Sequence, residues 1–333
     1  MTSTQDASIT LATESTYRTA VTTTRALEYV SESLKWTKGT KQGKGLRVGG
    51  RVARSGRRVV PTADGQGDIV MEATSKGMGV LWNLALGSST STLVSGSTYQ
   101  QVHSLGDTLP SATIQRTLPE IGGTLDPYTF LGCQCSALEV DFPNSDILSA
   151  KFSWDIGDVS TSIAYAAPSY ASAPNLFHFA NASIQSGTLT APTSTALASG
   201  GTTVADVRGG SFMLNHALTA NRQNLGGGGR KQKPTVGLRA LTGKLDIEYD
   251  SQTFAQAFLA DSPMSLVVTY TAGALSTGVE TLQFVIPEIK FDSDLPNTNG
   301  TDLIVQGMGF TGLDNLSAAQ PIWVVCRTSD TAL

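Results

Sequence analysis

Apolar and polar positions alternate with a period of two over many short stretches of the chain, and each stretch is closed by Gly, Pro, Asn or Asp. TIQRTL, CSALEVDF, AKFSWDI, LDIEY, SLVVTYT, LQFVIPEIKF and PIWVVCRT all read this way, which predicts a mainly β protein. Two stretches change period. In SKGMGVLWNLAL the apolar residues Met78, Leu81, Trp82 and Ala85 return at helical spacing, as do Phe254, Ala257 and Phe258 in SQTFAQAFLA. Each predicts a short helix covering a sheet.

The helices expose an internal repeat. GDIVMEATSKGMGVLW aligns with GKLDIEYDSQTFAQAF, matching Gly67 with Gly243, Ile69 with Leu245, Met71 with Ile247, Glu72 with Glu248, Ser75 with Ser251, Met78 with Phe254 and Trp82 with Phe258. A glycine-rich basic loop precedes both copies, and similar text follows both, LEVDFPNSD at 138–146 and PEIKFDSD at 287–294. Loop, strand, helix and hairpin recur in one order, which predicts a tandem duplication with its boundary near 160–175, where STSIAYAAPSYASAP reads as a linker. The expected organisation is an N-terminal arm and first strand over 1–34, a first domain over 35–165 with a long basic loop at 36–66, and a second over 166–333 with a loop at 222–239. The stretch 186–206, poor in bulky side chains, is expected to be an exposed loop.

Charge is segregated along the chain. Lys35, Lys38, Lys41, Lys44, Arg47, Arg51, Arg54, Arg57 and Arg58 crowd a stretch without a single acid, and the second loop adds Arg222, Arg230, Lys231, Lys233 and Arg239. These hold 14 of the 23 basic residues, leaving nine against 27 acids elsewhere. A basic arm beside an acidic body suits a molecule that meets copies of itself. Nucleic-acid binding fits less well, since Trp36 is the one aromatic in the loops and the acidic remainder would repel phosphate. The strands place acids opposite their apolar faces: Asp68 and Glu72 against Ile69 and Met71, Glu139 and Asp141 against Leu138, Val140 and Phe142, Asp246 and Glu248 against Leu245 and Ile247, Glu288 and Asp292 against Ile289 and Phe291, with Lys290 an exception.

Catalytic motifs are weak. GMGFTG spells G-x-G-x-x-G at Gly307, Gly309 and Gly312, but Pro321 and the chain end leave no room for a βαβ unit. GGGGRKQK lacks the Gly-Lys-Ser/Thr of a phosphate loop, and no G-x-S-x-G or H-E-x-x-H is present. Asp292 and Asp294 in FDSD read as turn residues. His103, His178 and His216 have no ligand-like spacing, and Cys133 and Cys135, two apart, read as core thiols on one strand face, so neither a metal nor a cofactor is expected. The opening residues do not read as a signal peptide, no apolar stretch approaches the roughly 20 residues of a membrane span, and the sequons NAS, NGT and NLS then mean little.

Several stretches in order, ESTYRTAVTTTRALEYVSESLKW, the Arg/Gly loop, GDIVMEATSKGMGVLWNLALG, YTFLGCQCSALEV, FHFANASI and IWVVCRTSD, resemble the tail tube (major tail) proteins of long-tailed bacteriophages, notably actinobacterial siphophages. The resemblance runs from about residue 10 to the end. It implies β-sandwich or barrel tube domains with a flanking helix, joined into rings that stack into a tube conducting genomic DNA without binding it specifically. It implies no enzyme. Lys38, Lys41, Lys44, Arg47, Arg51, Arg54, Arg57, Arg58, Arg230, Lys231 and Lys233 become candidate contacts between subunits or rings, and Asp68, Glu72, Glu139, Asp141, Asp246, Glu248, Glu288 and Asp292 a candidate channel lining. Two tube domains per chain imply a trimeric pseudo-hexamer, and a true hexamer if the second half only decorates the first. Tape-measure and tail-terminator proteins are implied partners, the virion tail the location after assembly in the host cytoplasm. The competing readings are a glycan- or receptor-binding β-sandwich, which needs an exposed aromatic platform, and a β-rich hydrolase, which needs a nucleophile and base.

Overall fold

The computed structural model describes residues 3–204, 206–292, 295 and 303–333; Asp294 of FDSD and the sequon at Asn299 lie outside them. The protein is mainly β, as the alternation predicts. The first part of the chain carries β1 (Ser8–Thr13), β2 (Arg25–Leu27), β3 (Tyr29–Glu32), β4 (Lys35–Gln42), β5 (Arg58–Glu72), α1 (Gly79–Leu86), β6 (Gly87–Ser95), β7 (Thr98–Leu105), β8 (Ala112–Pro119), β9 (Leu125–Phe142), β10 (Ser149–Ile156) and β11 (Asp158–Ser160). After a stretch without regular elements come β12 (Ala182–Thr190), β13 (Ser199–Thr203), β14 (Val207–Asn215), β15 (Ala240–Glu248), α2 (Thr253–Leu259), β16 (Met264–Ala274), β17 (Val279–Phe291), β18 (Val305–Gly312) and β19 (Trp323–Thr328). Both helices fall where the change of period puts them.

All strand pairings are antiparallel, and the two parts of the chain pair in the same order. In the first, β2 lies on β1, β1 on β8 and β8 on β9, with β11 and β10 on the far edge of β9 and β5 on β10. In the second, β13 lies on β12, β12 on β16 and β16 on β17, with β19 and β18 on β17 and β15 on β18. The register repeats as well. Gly67 faces Trp154 and Gly243 faces Phe310. A Cβ on Gly243 would stand 2.2 Å from the Phe310 ring, so only glycine fits. A bulge interrupts β8–β9 between Ala112 and Ile114, and another interrupts β16–β17 between Met264 and Leu266, beside Pro287. One expectation is corrected: Trp154 opposes Cys135 while Phe310 opposes Phe291, so Phe291 corresponds to Cys135 and the likeness of LEVDF to PEIKF is seven residues out of register. Acid–apolar alternation is common to any half-buried strand and cannot set register by itself.

The two parts are knitted together. β14 pairs with β15 on one edge and with β9 on the other, making one continuous sheet from β4 through β5, β10, β9, β14 and β15 to β18. The β6–β7 hairpin in turn pairs with β19. The main core runs across both parts: Trp82 of α1, almost fully buried, meets the rings of Phe152 at 5.5 Å and Phe284 at 5.8 Å, and Phe284 meets Phe212 at 5.3 Å, while Ala198, Val267, Val285, Trp323 and Val325 form a second, smaller cluster. Helix α1 stops at Gly87, whose φ of 99° suits glycine and whose N–H donates to the Asn83 carbonyl.

Three further expectations are corrected. Residues 8–34 are body strands rather than an arm, with Ile9, Leu11 and Leu27 in the core. The buried carboxylate of Glu14 fixes the turn after β1 by accepting from Ser111 Oγ at 2.7 Å, Thr113 Oγ1 at 3.1 Å, Arg18 N at 2.9 Å and Gly132 N at 2.8 Å. The 36–66 loop is mostly a hairpin, since β4 and β5 pair from Lys35↔Gln66 to Gln42↔Arg58. The 186–206 stretch likewise holds the β12–β13 hairpin. The outer part of the β4–β5 hairpin projects from the body with polar residues on both faces, while β12 lies on β16 and packs Ala182, Ile184 and Leu189 inward among polar neighbours, so neither carries the continuous apolar period that marks a half-buried strand.

Candidate assembly surfaces

The continuous sheet gathers most of the predicted acids onto one face. Directly opposed residues of neighbouring strands share a face. Asp141 opposes Ser149, which opposes Glu72; Glu139 opposes Lys151; Asp68 opposes Ser153; and across β14 the same face carries Asp246 and Glu248. The residues between them, Ile69, Met71, Leu138, Val140, Leu245 and Ile247, point into the core. Cations temper the face: Lys151 pairs with Glu139, Lys244 with Asp246 at 2.6 Å, and Arg208 with Glu248 at 3.6 Å. Asp68, Glu72 and Asp141 make no ion pair among the described residues. Burial and the neighbouring Glu139 push the Asp141 carboxyl up from its ordinary value. Glu288 on β17 and Asp292 just past its end stand at the border of this face, where β17 pairs with β18, and Asp292 accepts from Thr311 Oγ1 at 2.5 Å.

The two basic loops differ sharply. The second folds back onto the first part of the chain. Lys231, only 3% exposed, donates to Asp155 at 2.7 Å and lies 3.4 Å from Asp64, Arg230 pairs with Asp158, and Ala63 N donates to the Gly229 carbonyl at 3.3 Å. Burial raises the Asp155 carboxyl against the lowering pull of Lys231. Arg239 donates to His216 Nδ1 at 3.2 Å and to the Gly106 carbonyl, and His216 Nε2 donates to the Ala85 carbonyl at 2.6 Å. Of the predicted contact residues, Arg230 and Lys231 therefore already have acids within their own chain, while Lys233 is exposed and only its carbonyl is held, by Arg222 at 2.7 Å. Sequence spacing could not find Asp155, Asp158 and Asp64 as their partners, because the first two lie 76 and 72 positions away along the chain and Asp64 farther still.

The first loop stands free. Its hairpin presents Lys38, Lys41, Lys44, Arg47, Arg51, Arg54, Arg57 and Arg58, all of them without an acidic partner among the described residues. Leu46, Val48 and Val52 at its tip are close to fully exposed.

Two of the motifs weighed for chemistry fall in a strand and in the core. GMGFTG is strand β18, with Gly307 opposite Asp246 and Gly312 opposite Leu241. Cys133 and Cys135 lie in the core, where burial pushes the Cys135 thiol up to about 12. Among the described residues no three of His, Cys, Asp and Glu cluster to hold a metal, and no helix is long and apolar enough to cross a membrane.

Fold and surface define a β-rich structural protein whose chemistry lies in loops and sheet edges. A family model, that of the phage tail tube protein, matches residues 4–312, and the chain belongs to that family. Comparison with curated proteins finds no match. The chain is thus a structural tail tube protein and a component of the virion tail.

Proposed function

We propose that the chain assembles into rings that stack into a non-contractile tail tube, and that phage DNA passes through the channel without specific binding. One observation carries this reading: two similar sets of strands stand side by side in one sheet, closed by a basic loop on an acidic neighbour, while a second basic loop is left unpartnered. Repeating the internal β9–β14 seam between chains continues the sheet into a closed ring. Two tube-like domains per chain, the first taking in β1–β3 together with 35–165 and the second 166–333, give a six-lobed ring from three chains. The face bearing Asp68, Glu72, Glu139, Asp141, Asp246 and Glu248, with Glu288 and Asp292 at its border, lines the channel and repels the DNA backbone. The loop cations from Lys38 to Arg58, with Lys233, grip the adjacent subunit or ring. Tape-measure and tail-terminator proteins set the tube length, and assembly takes place in the host cytoplasm.

Reversing Arg51, Arg54, Arg57 and Arg58 to Glu tests the grip. The variant is expected to keep the parent's melting temperature, because these side chains touch no acid in the subunit, and to yield no tubes by electron microscopy. Tubes of parental length would remove the loop from the mechanism.

A further inference from the structure

Helix α1 seals the joint between the two parts of the chain, whereas helix α2, its counterpart, packs on its own part alone, with Phe254 against Phe291 at 5.7 Å and Ala257 and Phe258 only partly buried. The ring of Trp82 reaches across to Phe284 on β17, which packs on Phe212 of β14. The repeated bulges match Tyr128 with Phe284 and Phe130 with Ile286, and the β3–β5 and β4–β5 ladders match Leu34 with Phe212 and Trp36 with Leu214. Phe284, Ile286 and Leu214 are buried, as is Phe130, whereas Trp36 and Tyr128 are only partly buried and border an open cavity of about 590 Å³ that Lys38, Arg116, Asp158 and Arg230 also line, with Arg116 lying 5.6 Å above the Tyr128 ring. On α2, Phe258 stands where Trp82 stands on α1. It is only half-buried, and Leu259 beside it is 67% exposed. Two half-buried rings at one site and a half-buried helix face edged by the exposed Leu259 at another, which correspond to groups that cover each other inside the chain, are the two sides of one joint.

We infer that α2 of one copy docks in the Trp36–Tyr128 cavity of a second copy, with Phe258 in the role that Trp82 plays within the chain. The occupant is a second copy of this chain, since the internal joint is the template, and the inference rests on the proposed self-assembly.

A Tyr128→Cys/Phe258→Cys double variant, oxidised with diamide and run on non-reducing denaturing gels, is expected to give covalent dimers and trimers, while either single variant stays monomeric. Phe258→Ser is expected to melt as the parent does and to need about tenfold more protein, or greater, for half-assembly. Parent and double variant forming rings with no cross-link, or Phe258→Ser assembling at the parental concentration, would overturn the joint and leave the tube reading standing. A parent that never assembles, with no cross-link in the double variant, overturns both.

Discussion

Two histidines make the fold sensitive to acid. His103 is fully buried, with Nδ1 2.6 Å from Ser89 Oγ, and burial lowers its pKa from 6.5 to about 3. His216 is lowered to about 4 by burial and by the Arg239 guanidinium. Both are neutral in the folded chain at a pH where the unfolded chain already takes up protons. Their stabilising effect is therefore complete above about pH 6.5 and is lost as pH falls through the folded values. Chemical unfolding between pH 7 and pH 4 should show a loss on the order of 3 kcal/mol from His216. Replacing His216 by Gln, which can still donate to the Ala85 carbonyl, should flatten that part of the profile; an unchanged slope would show that His216 does not titrate this way.

The loop from 222 to 239 is one of the elements that tie the second part of the chain to the first, beside the β9–β14 and β7–β19 pairings. Lys231→Ala leaves the Asp155 carboxylate buried without its cation, and a loss of about 3 kcal/mol is expected in thermal or urea unfolding. Arg230→Ala, at a more exposed pair, should cost under about 1 kcal/mol. In a double-mutant cycle, adding Asp155→Ala to Lys231→Ala should restore much of the loss, and simple additivity would contradict the pairing. This element also marks how far sequence reading reaches. AKFSWDI declares itself by alternation because one face is buried, LQFVIPEIKF by a continuous apolar run because both faces are buried over 282–286, and both helices follow from a change of period. The β4–β5 hairpin does not beyond Trp36, because both of its faces meet water, and the apolar residues of β12 are too sparse to show a period. The basic character of the loops is plain in the text, but whether a cation is free or buried depends on which acid the fold brings to it: Lys231 and Arg51 look alike in sequence and differ completely in the structure.

At the scale of the molecule, the acids of β5, β9 and β15 reach one face only because β14 bridges the two parts of the chain into a single sheet. Strand alternation foretells acids opposite apolar residues on each strand, but continuity across the β9–β14 seam comes from pairing between residues some 70 positions apart. The same seam makes self-assembly the central claim, because a chain built from two alike parts can add a third and a fourth part only by meeting itself. Negative-stain electron microscopy of the purified protein, over a series of protein and salt concentrations, tests it most directly. Six-lobed rings stacked into tubes that lengthen with protein concentration and shorten in high salt are the predicted result. Monodisperse globules under every condition would contradict it.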